Sequence, residues 1–303
     1  MTEQGLDLTD QPDRWLKLGL GQMLVEGGEP ERNLQRARQM IDKAAQESCQ
    51  VVLLPECLDL AWTHPSARHE AEPVPGPRSQ ELCDAAEETG LYVCAGLTEL
   101  EGDRVYNCAI VVDPAGEIVL KYRKINVLGI AQEFYSIGGM LGVVDTPFGL
   151  IGVDICSDNY VDGLAIGHTL ARMGACLILS PSSWTVDYSV SDTDDPYGDK
   201  WLRPYYTLAS LYDLVVAGCT SVGVIIGGPY EGKKMVGSSL VVDRDGPIMT
   251  GEINEVAGRL TTVDVPLRRR TVYGTEIGQA LSERGHEFGT VDPPMLTNRR
   301  MMR

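Results

Sequence analysis

Residues 150 to 159 read Leu150-Ile151-Gly152-Val153-Asp154-Ile155-Cys156-Ser157-Asp158-Asn159. A short apolar run rich in β-branched residues predicts a buried strand, and the polar residues beyond it lead into a helical pattern over 160 to 173. The reading places the Cys156 thiol exposed at a strand-to-helix turn. Backbone N–H groups at a helix start lower a thiol pKa and stabilise an oxyanion, so the position suits a nucleophile. The other seven cysteines (49, 57, 83, 94, 108, 176 and 219) lie mostly within apolar patterns, with no C-x-x-C pair, which predicts reduced, buried thiols and no disulfide.

Two further stretches carry chemistry. Val51-Val52-Leu53-Leu54-Pro55-Glu56 puts a carboxylate at the exit of an apolar strand, where burial is costly unless the group has a partner or a task. Leu120-Lys121-Tyr122-Arg123-Lys124 puts cations after another strand. Alone, each has a plain structural explanation, as a salt bridge or a solvated strand end. Together they supply a thiol, a base and a cation, the parts of a covalent hydrolase.

Outward from these stretches, strands are expected at 16–23, 51–54, 91–97, 107–113, 117–122, 141–145, 150–155, 175–179, 214–219, 222–227, 237–243 and about 257–264. Helices are expected at 31–48, near 79–89, 160–173 and near 200–212. The first helix carries Leu34, Ala37, Ile41 and Ala44 on one face. Alternating helices, strands and hairpins predict an α/β fold with two mixed sheets packed together and helices outside. Residues 1–15 read as an extension, 16–268 as the folded domain, and 269–303 as a polar, Pro-containing tail that packs on a partner subunit or is partly disordered.

Composition narrows the function. The 303 residues hold 26 Lys plus Arg against 43 Asp plus Glu, a net charge of −17, which disfavours nucleic acid and anionic membranes as partners. The opening residues 1 to 10 lack the basic and apolar regions of a signal peptide, and no apolar run approaches the ~20 residues of a membrane span, so a cytoplasmic protein is expected. The four histidines show no ligand spacing, and no metal or other cofactor is expected. Gly227 to Gly232 followed by Lys233 has P-loop spacing, but Lys234 stands where Ser or Thr would hold magnesium.

The order Glu, Lys, Cys, within Leu-Pro-Glu (54–56), Tyr-Arg-Lys (122–124) and Gly-Val-Asp-Ile-Cys-Ser-Asp (152–158), resembles the nitrilase superfamily of carbon–nitrogen hydrolases. Residues 179 to 184 and 237 to 246 add matches, and the resemblance extends from about 16 to 265. It implies a four-layer α-β-β-α sandwich that dimerises, or assembles further, through helices including the one after Cys156. It implies Glu56 as general base, Lys124 as oxyanion stabiliser, Cys156 as nucleophile, and Glu133 as a second glutamate neighbouring Lys124. Ser157 and Asp158 depart from the Trp-Glu of true nitrilases, which favours a small linear amide or N-carbamoyl substrate over a nitrile. A true nitrilase, a catalytically silent scaffold and an acyltransferase are the rival readings. Trp62, His64, Ser157, Asp158 and Trp184 are expected around the small-molecule substrate. The acidic segment from Asp187 to Asp199 is a further pocket candidate, though a solvated loop explains it more simply.

Overall fold

The computed structural model describes residues 12–190, 198–251, 257–269, 274–283 and 285. In chain order the strands are β1 (Arg14–Gln22), β2 (Val51–Leu53), β3 (Tyr92–Glu101), β4 (Arg104–Val112), β5 (Ile118–Arg123), β6 (Val143–Thr146), β7 (Gly149–Val153), β8 (Leu177–Ser182), β9 (Thr185–Val186), β10 (Val215–Thr220), β11 (Val222–Val224), β12 (Lys234–Val236), β13 (Leu240–Asp243), β14 (Gly246–Thr250) and β15 (Arg259–Leu267). The α-helices are α1 (Pro30–Gln46), α2 (Ala67–Glu70), α3 (Pro77–Thr89), α4 (Ala165–Arg172), α5 (Arg203–Tyr212) and α6 (Glu276–Glu283).

Two six-stranded mixed sheets form, ordered β15-β1-β2-β3-β4-β5 and β6-β7-β8-β10-β13-β14. Read in these directions, both run antiparallel, parallel, parallel, antiparallel, antiparallel. Strand β1 shows why they stack. Leu16, Leu18 and Leu20 alternate onto one face and join Ile151, Val153, Leu177 and Leu179 in the core between the sheets. Each such side chain contributes about 2 kcal/mol of burial. On the opposite face Gly21 lets α1 approach, since a Cβ there would meet Met40 Cβ at 3.0 Å. Leu34, Ala37, Ile41 and Ala44 seal that side against Val52, Leu54 and Val93.

Four features differ from the sequence reading. The helix after the thiol starts only at Ala165, and Cys156–Asn159 is a single 3₁₀ turn. Strand β14 was not expected, because Pro247 argues against a strand; β14 is an edge strand, where a missing N–H is tolerated. Strands β9, β11 and β12 form a separate three-stranded sheet. Finally, α6 lies beyond the expected boundary at 268 and packs on its own chain: Ile277 and Leu281, four residues apart on one helix face, are fully buried in the main core. Among the described residues, no helix is long and apolar enough to cross a membrane.

Candidate active site

Glu56, Cys156 and Ser183 follow the C-terminal ends of the parallel strands β2, β7 and β8, and Lys124 follows β5, which runs in the same direction as β2. Carboxyl ends of parallel strands form the crevice where open α/β sheets place ligands.

Glu56 is positioned by backbone. Leu54 N–H donates to Cys94 O at 2.8 Å, Gly96 N–H to Pro55 O at 3.0 Å, and Leu58 N–H to Gly96 O at 2.9 Å. This approach requires glycine at 96, where a Cβ would stand 2.6 Å from Glu56 Cα. The N–H of Glu56 donates across to Ser182 O at 3.3 Å, joining the two sheets at the site. Lys124 is fixed by its N–H to Asn107 O at 2.9 Å and by Gly138 N–H to its own carbonyl at 2.8 Å.

The side chains then converge. Lys124 Nζ and Asn107 Nδ2 each donate to Glu56 Oε1 at 2.6 Å. Glu56 Oε2 has no hydrogen-bond partner among the described residues, and the Cys156 thiol lies against this carboxylate. Glu56, Lys124 and Cys156 are 1, 2 and 5 % exposed, so their charges act in a poorly screened medium. Burial works against the Lys124 ammonium, but Glu56, Cys156 and Asp158 outweigh it and hold its pKa above the ordinary lysine value. Burial also pushes the Cys156 thiol up, and Glu56 pushes it further; Lys124 and the Ser183 N–H offset part of this, leaving it at about 12. Cys156 is therefore a buried neutral thiol at rest. The exposed turn with a helix-lowered pKa that the sequence suggested is not what forms, because the long polar segment before Ala165 removes the helix end.

Cys156 has φ +48°, a conformation unfavourable for a side-chain-bearing residue, and its surroundings fix it there. Its N–H donates to Ser180 Oγ at 3.2 Å, and Asn159 Nδ2 donates to Ser180 Oγ at 3.0 Å and to Asp154 Oδ1 at 2.5 Å. Asp158, expected to face substrate, accepts from Tyr122 Oη at 2.7 Å, Asn126 N–H at 2.8 Å and Ile155 N–H at 3.0 Å. Ser157 Oγ donates to Asn126 O at 2.7 Å. Both side chains hold the turn, since a strained elbow needs local partners. Trp184 likewise turns inward: it is buried, stacked on Trp201 at 4.7 Å between centroids.

Glu133, expected beside Lys124, lies at the surface. Its carboxylate is 63 % exposed and pairs with Arg68 at 2.9 Å, because the turn around 129–135 buries Phe134 and Tyr135 instead. Tyr135 was not anticipated; its Oη accepts from Thr63 N–H at 3.0 Å and anchors the loop that bears Trp62 and His64. That loop is tightly wound, with positive φ at Cys57, Ala61 and Thr63. Trp62 and His64 line a cleft with Ser183. Asn107 was also missed, although a polar residue inside Val105-Tyr106-Asn107-Cys108-Ala109-Ile110 is the kind of interruption that signals a buried task. In the acidic segment Asp187 pairs with Lys233 at the surface, while Asp192, Asp194 and Asp195 lie outside the described residues. All eight cysteines are free, and among the described residues no cluster of His, Cys, Asp and Glu could hold a metal ion.

Known proteins share this architecture. A nitrilase from Pyrococcus abyssi is 35% identical over 180 residues, covering 57% of this chain and 67% of that protein. The omega-amidase NIT2 of Xenopus tropicalis is 32% identical over 180 residues, covering 56% of this chain and 64% of that protein. The matched part thus spans about two thirds of the length of these relatives. Among solved structures, Saccharomyces cerevisiae Nit3, of branch 10 of the nitrilase superfamily, superposes with TM-score 0.70 at 22% identity over 96% of this chain and 98% of its own. An amidase from Nesterenkonia sp. AN1, carrying the acetamide moiety of fluoroacetamide on its active-site cysteine, superposes with TM-score 0.71 at 18% identity over 89% of this chain and 94% of its own. The family profile described as carbon-nitrogen hydrolase matches residues 17–273, nearly the whole described fold, and the chain therefore belongs to the carbon-nitrogen hydrolases of the nitrilase superfamily.

Proposed function

We propose that this hydrolase cleaves the C–N bond of a small linear amide or N-carbamoyl compound through a thioester on Cys156. The observation that carries the reading is the burial of thiol, carboxylate and ammonium together, with the thiol against the Glu56 carboxylate that accepts from Lys124. A thiol with a pKa near 12 needs a base as it attacks. Glu56 takes the proton while sulfur bonds to the carbonyl carbon, and the Lys124 ammonium holds the developing oxyanion, a role worth about 10²–10³ in rate. Glu56 returns the proton to nitrogen, the C–N bond breaks, and ammonia or an amine leaves. Water then attacks the thioester, giving a proton to Glu56; the C–S bond breaks, Glu56 passes that proton to the departing sulfur, and the carboxylic acid product leaves with thiol and carboxylate restored.

The amidases among the relatives and the covalent adduct in the Nesterenkonia enzyme support this reading, as does Ser157-Asp158 after the nucleophile. Similarity to the Pyrococcus nitrilase favours nitrile hydrolysis as the second reading. A matched panel of amides and nitriles with ammonia readout separates the two: amide turnover is expected, and turnover of nitriles alone overturns the proposal. The exposed apolar residues Val161, Met173 and Tyr206, around α4 and α5, support a homodimer through that layer.

A further inference from the structure

Strands β7 and β8 lie side by side inside their sheet, and their parallel ladder ends at the Val153–Leu179 pair, with Asp154 N–H donating to Leu179 O at 3.2 Å as its last rung. Beyond that rung the chain turns through Cys156, and a side chain takes over from the backbone of β8: Ser180 Oγ accepts from the Cys156 N–H at 3.2 Å. Asn159 Nδ2, at the far end of the turn, donates to the same Oγ at 3.0 Å and to Asp154 Oδ1 at 2.5 Å. One hydroxyl of β8 thus ties down the middle of the turn and, through Asn159, both of its ends. Asp154, Asn159 and Ser180 are each at most 1 % exposed, so solvent is poorly placed to replace a lost partner.

Two energies of similar size meet at Cys156. Holding it at φ +48° costs about 1–3 kcal/mol, and leaving its buried N–H unpaired would also cost about 1–3 kcal/mol. While Ser180 accepts that N–H, relaxing the backbone gains nothing. Without the hydroxyl, rotation to negative φ relieves the strain at little cost and re-aims Cβ, carrying the sulfur away from the Glu56 carboxylate it lies against. The anchor itself is rigid, since Ser180 belongs to β8, between β7 and β10, and is in register with Gly218. The turn needs such an anchor, because α4 starts only at Ala165 and no helix begins at the thiol.

We infer that Ser180 and Asn159 are positioning residues for the hydrolysis: acting through the Cys156 backbone, they hold the sulfur where Glu56 can take its proton. The inference rests on Cys156 as the nucleophile proposed above. Fluoroacetamide tests the sulfur directly, because sulfur displaces fluoride, an S–C bond forming as the C–F bond breaks, while the thiol proton passes to Glu56. The rate of Cys156 alkylation, followed by intact and peptide mass, is measured beside kcat and KM for the amide that the wild type turns over fastest. All rates are taken at a temperature where circular dichroism shows each variant folded.

In Ser180→Ala, alkylation and kcat are expected to fall together by about 10- to 100-fold with KM within about twofold, the scale of a misplaced reacting atom. A role in folding alone would lower the melting temperature and leave both rates per folded molecule unchanged. Asn159→Ala is expected to lose in the same direction, and the double variant no more than about twofold beyond the slower single one, because the two residues act as a unit. Wild-type alkylation and kcat in Ser180→Ala overturn the inference while leaving the proposed hydrolysis standing, and so do losses that multiply in the double variant. A wild-type protein that fluoroacetamide does not label at Cys156 overturns both. Should Ser180→Ala not fold, Asn159→Ala decides alone, and wild-type rates in it overturn the inference.

Discussion

Lys124 Nζ and Glu56 Oε1 meet at 2.6 Å across 68 residues of sequence, in a site with almost no exposure to solvent. A buried ion pair of this kind is costly to form and contributes little to stability in itself, so its presence beside a thiol is better explained by chemistry than by folding. The same carboxylate oxygen also accepts from Asn107, and the Cys156 thiol lies against the same carboxylate.

Cys156→Ala removes the proposed nucleophile and little volume. Activity is expected to fall by at least about 10³-fold with the melting temperature near that of the wild type. Intact-mass measurement with fluoroacetamide gives the covalent check: one acetamide adduct on the wild type, none on Cys156→Ala. An active Cys156→Ala protein would refute the assignment.

Asn107→Ala removes one of the two hydrogen bonds that Lys124 and Asn107 donate to Glu56 Oε1. Losing a hydrogen bond to a buried charged group costs about 1–3 kcal/mol. A lower denaturation midpoint is expected, together with a drop of about 10- to 100-fold in kcat, because the base is no longer held in place. Wild-type kcat in this variant would show that Asn107 does not position Glu56.

Gly96→Ala forces a methyl group to within 2.6 Å of the Glu56 backbone, where no flexible side chain can yield. Overpacking of this kind costs about 1–3 kcal/mol. Urea denaturation is expected to show that loss, and activity should fall more than stability does, since the displaced atoms carry the base. Unchanged stability and activity would mean that the strand can move aside freely.

Asp154, buried beneath the nucleophile, has its carboxyl pushed up to about 8 by burial and then by Asp158, against the hydrogen bonds from Ser180 and Asn159. A raised carboxyl pKa means that the folded protein binds the proton more tightly than the unfolded chain. This stabilising term is complete below the ordinary carboxylate range and is lost as pH rises toward 8. Its slope is roughly 1.4 kcal/mol per pH unit within that window. Asp154→Asn is expected to remove this slope; chemical denaturation at several pH values between 4 and 8 measures it, and equal slopes in both proteins would exclude the assignment.

Glu133→Gln tests the one expected site residue that the fold places on the surface. Its pair with Arg68 is exposed, and such pairs contribute about 0–1 kcal/mol. Stability and kcat/KM should stay close to wild type. A large loss of kcat would instead restore Glu133 to the neighbourhood of Lys124.

The chain order of elements, the two mixed sheets with outer helices, and the three side chains that converge at the buried site were legible because each depends on local pattern. Leu16, Leu18 and Leu20 alternate as a strand does; Glu56, Lys124 and Cys156 stand at the ends of apolar runs, where the combination points to chemistry that no one of them signals alone. The pocket wall was only partly legible. Trp62 and His64 follow Glu56 closely in sequence and share its loop, whereas Ser157, Asp158 and Trp184, equally close to reactive positions, turn inward to hold the elbow or fill the core.

Sequence alone therefore determined which groups could react and roughly where each strand would deliver them, since side-chain chemistry and hydrophobic period are properties of short segments. Only the folded chain decided that Asn107 holds Glu56, that Gly96 admits it, that Glu133 faces water and that Cys156 rests as a buried thiol. Those outcomes depend on strand register and on how two sheets close over one another, which are relations between segments far apart in the chain.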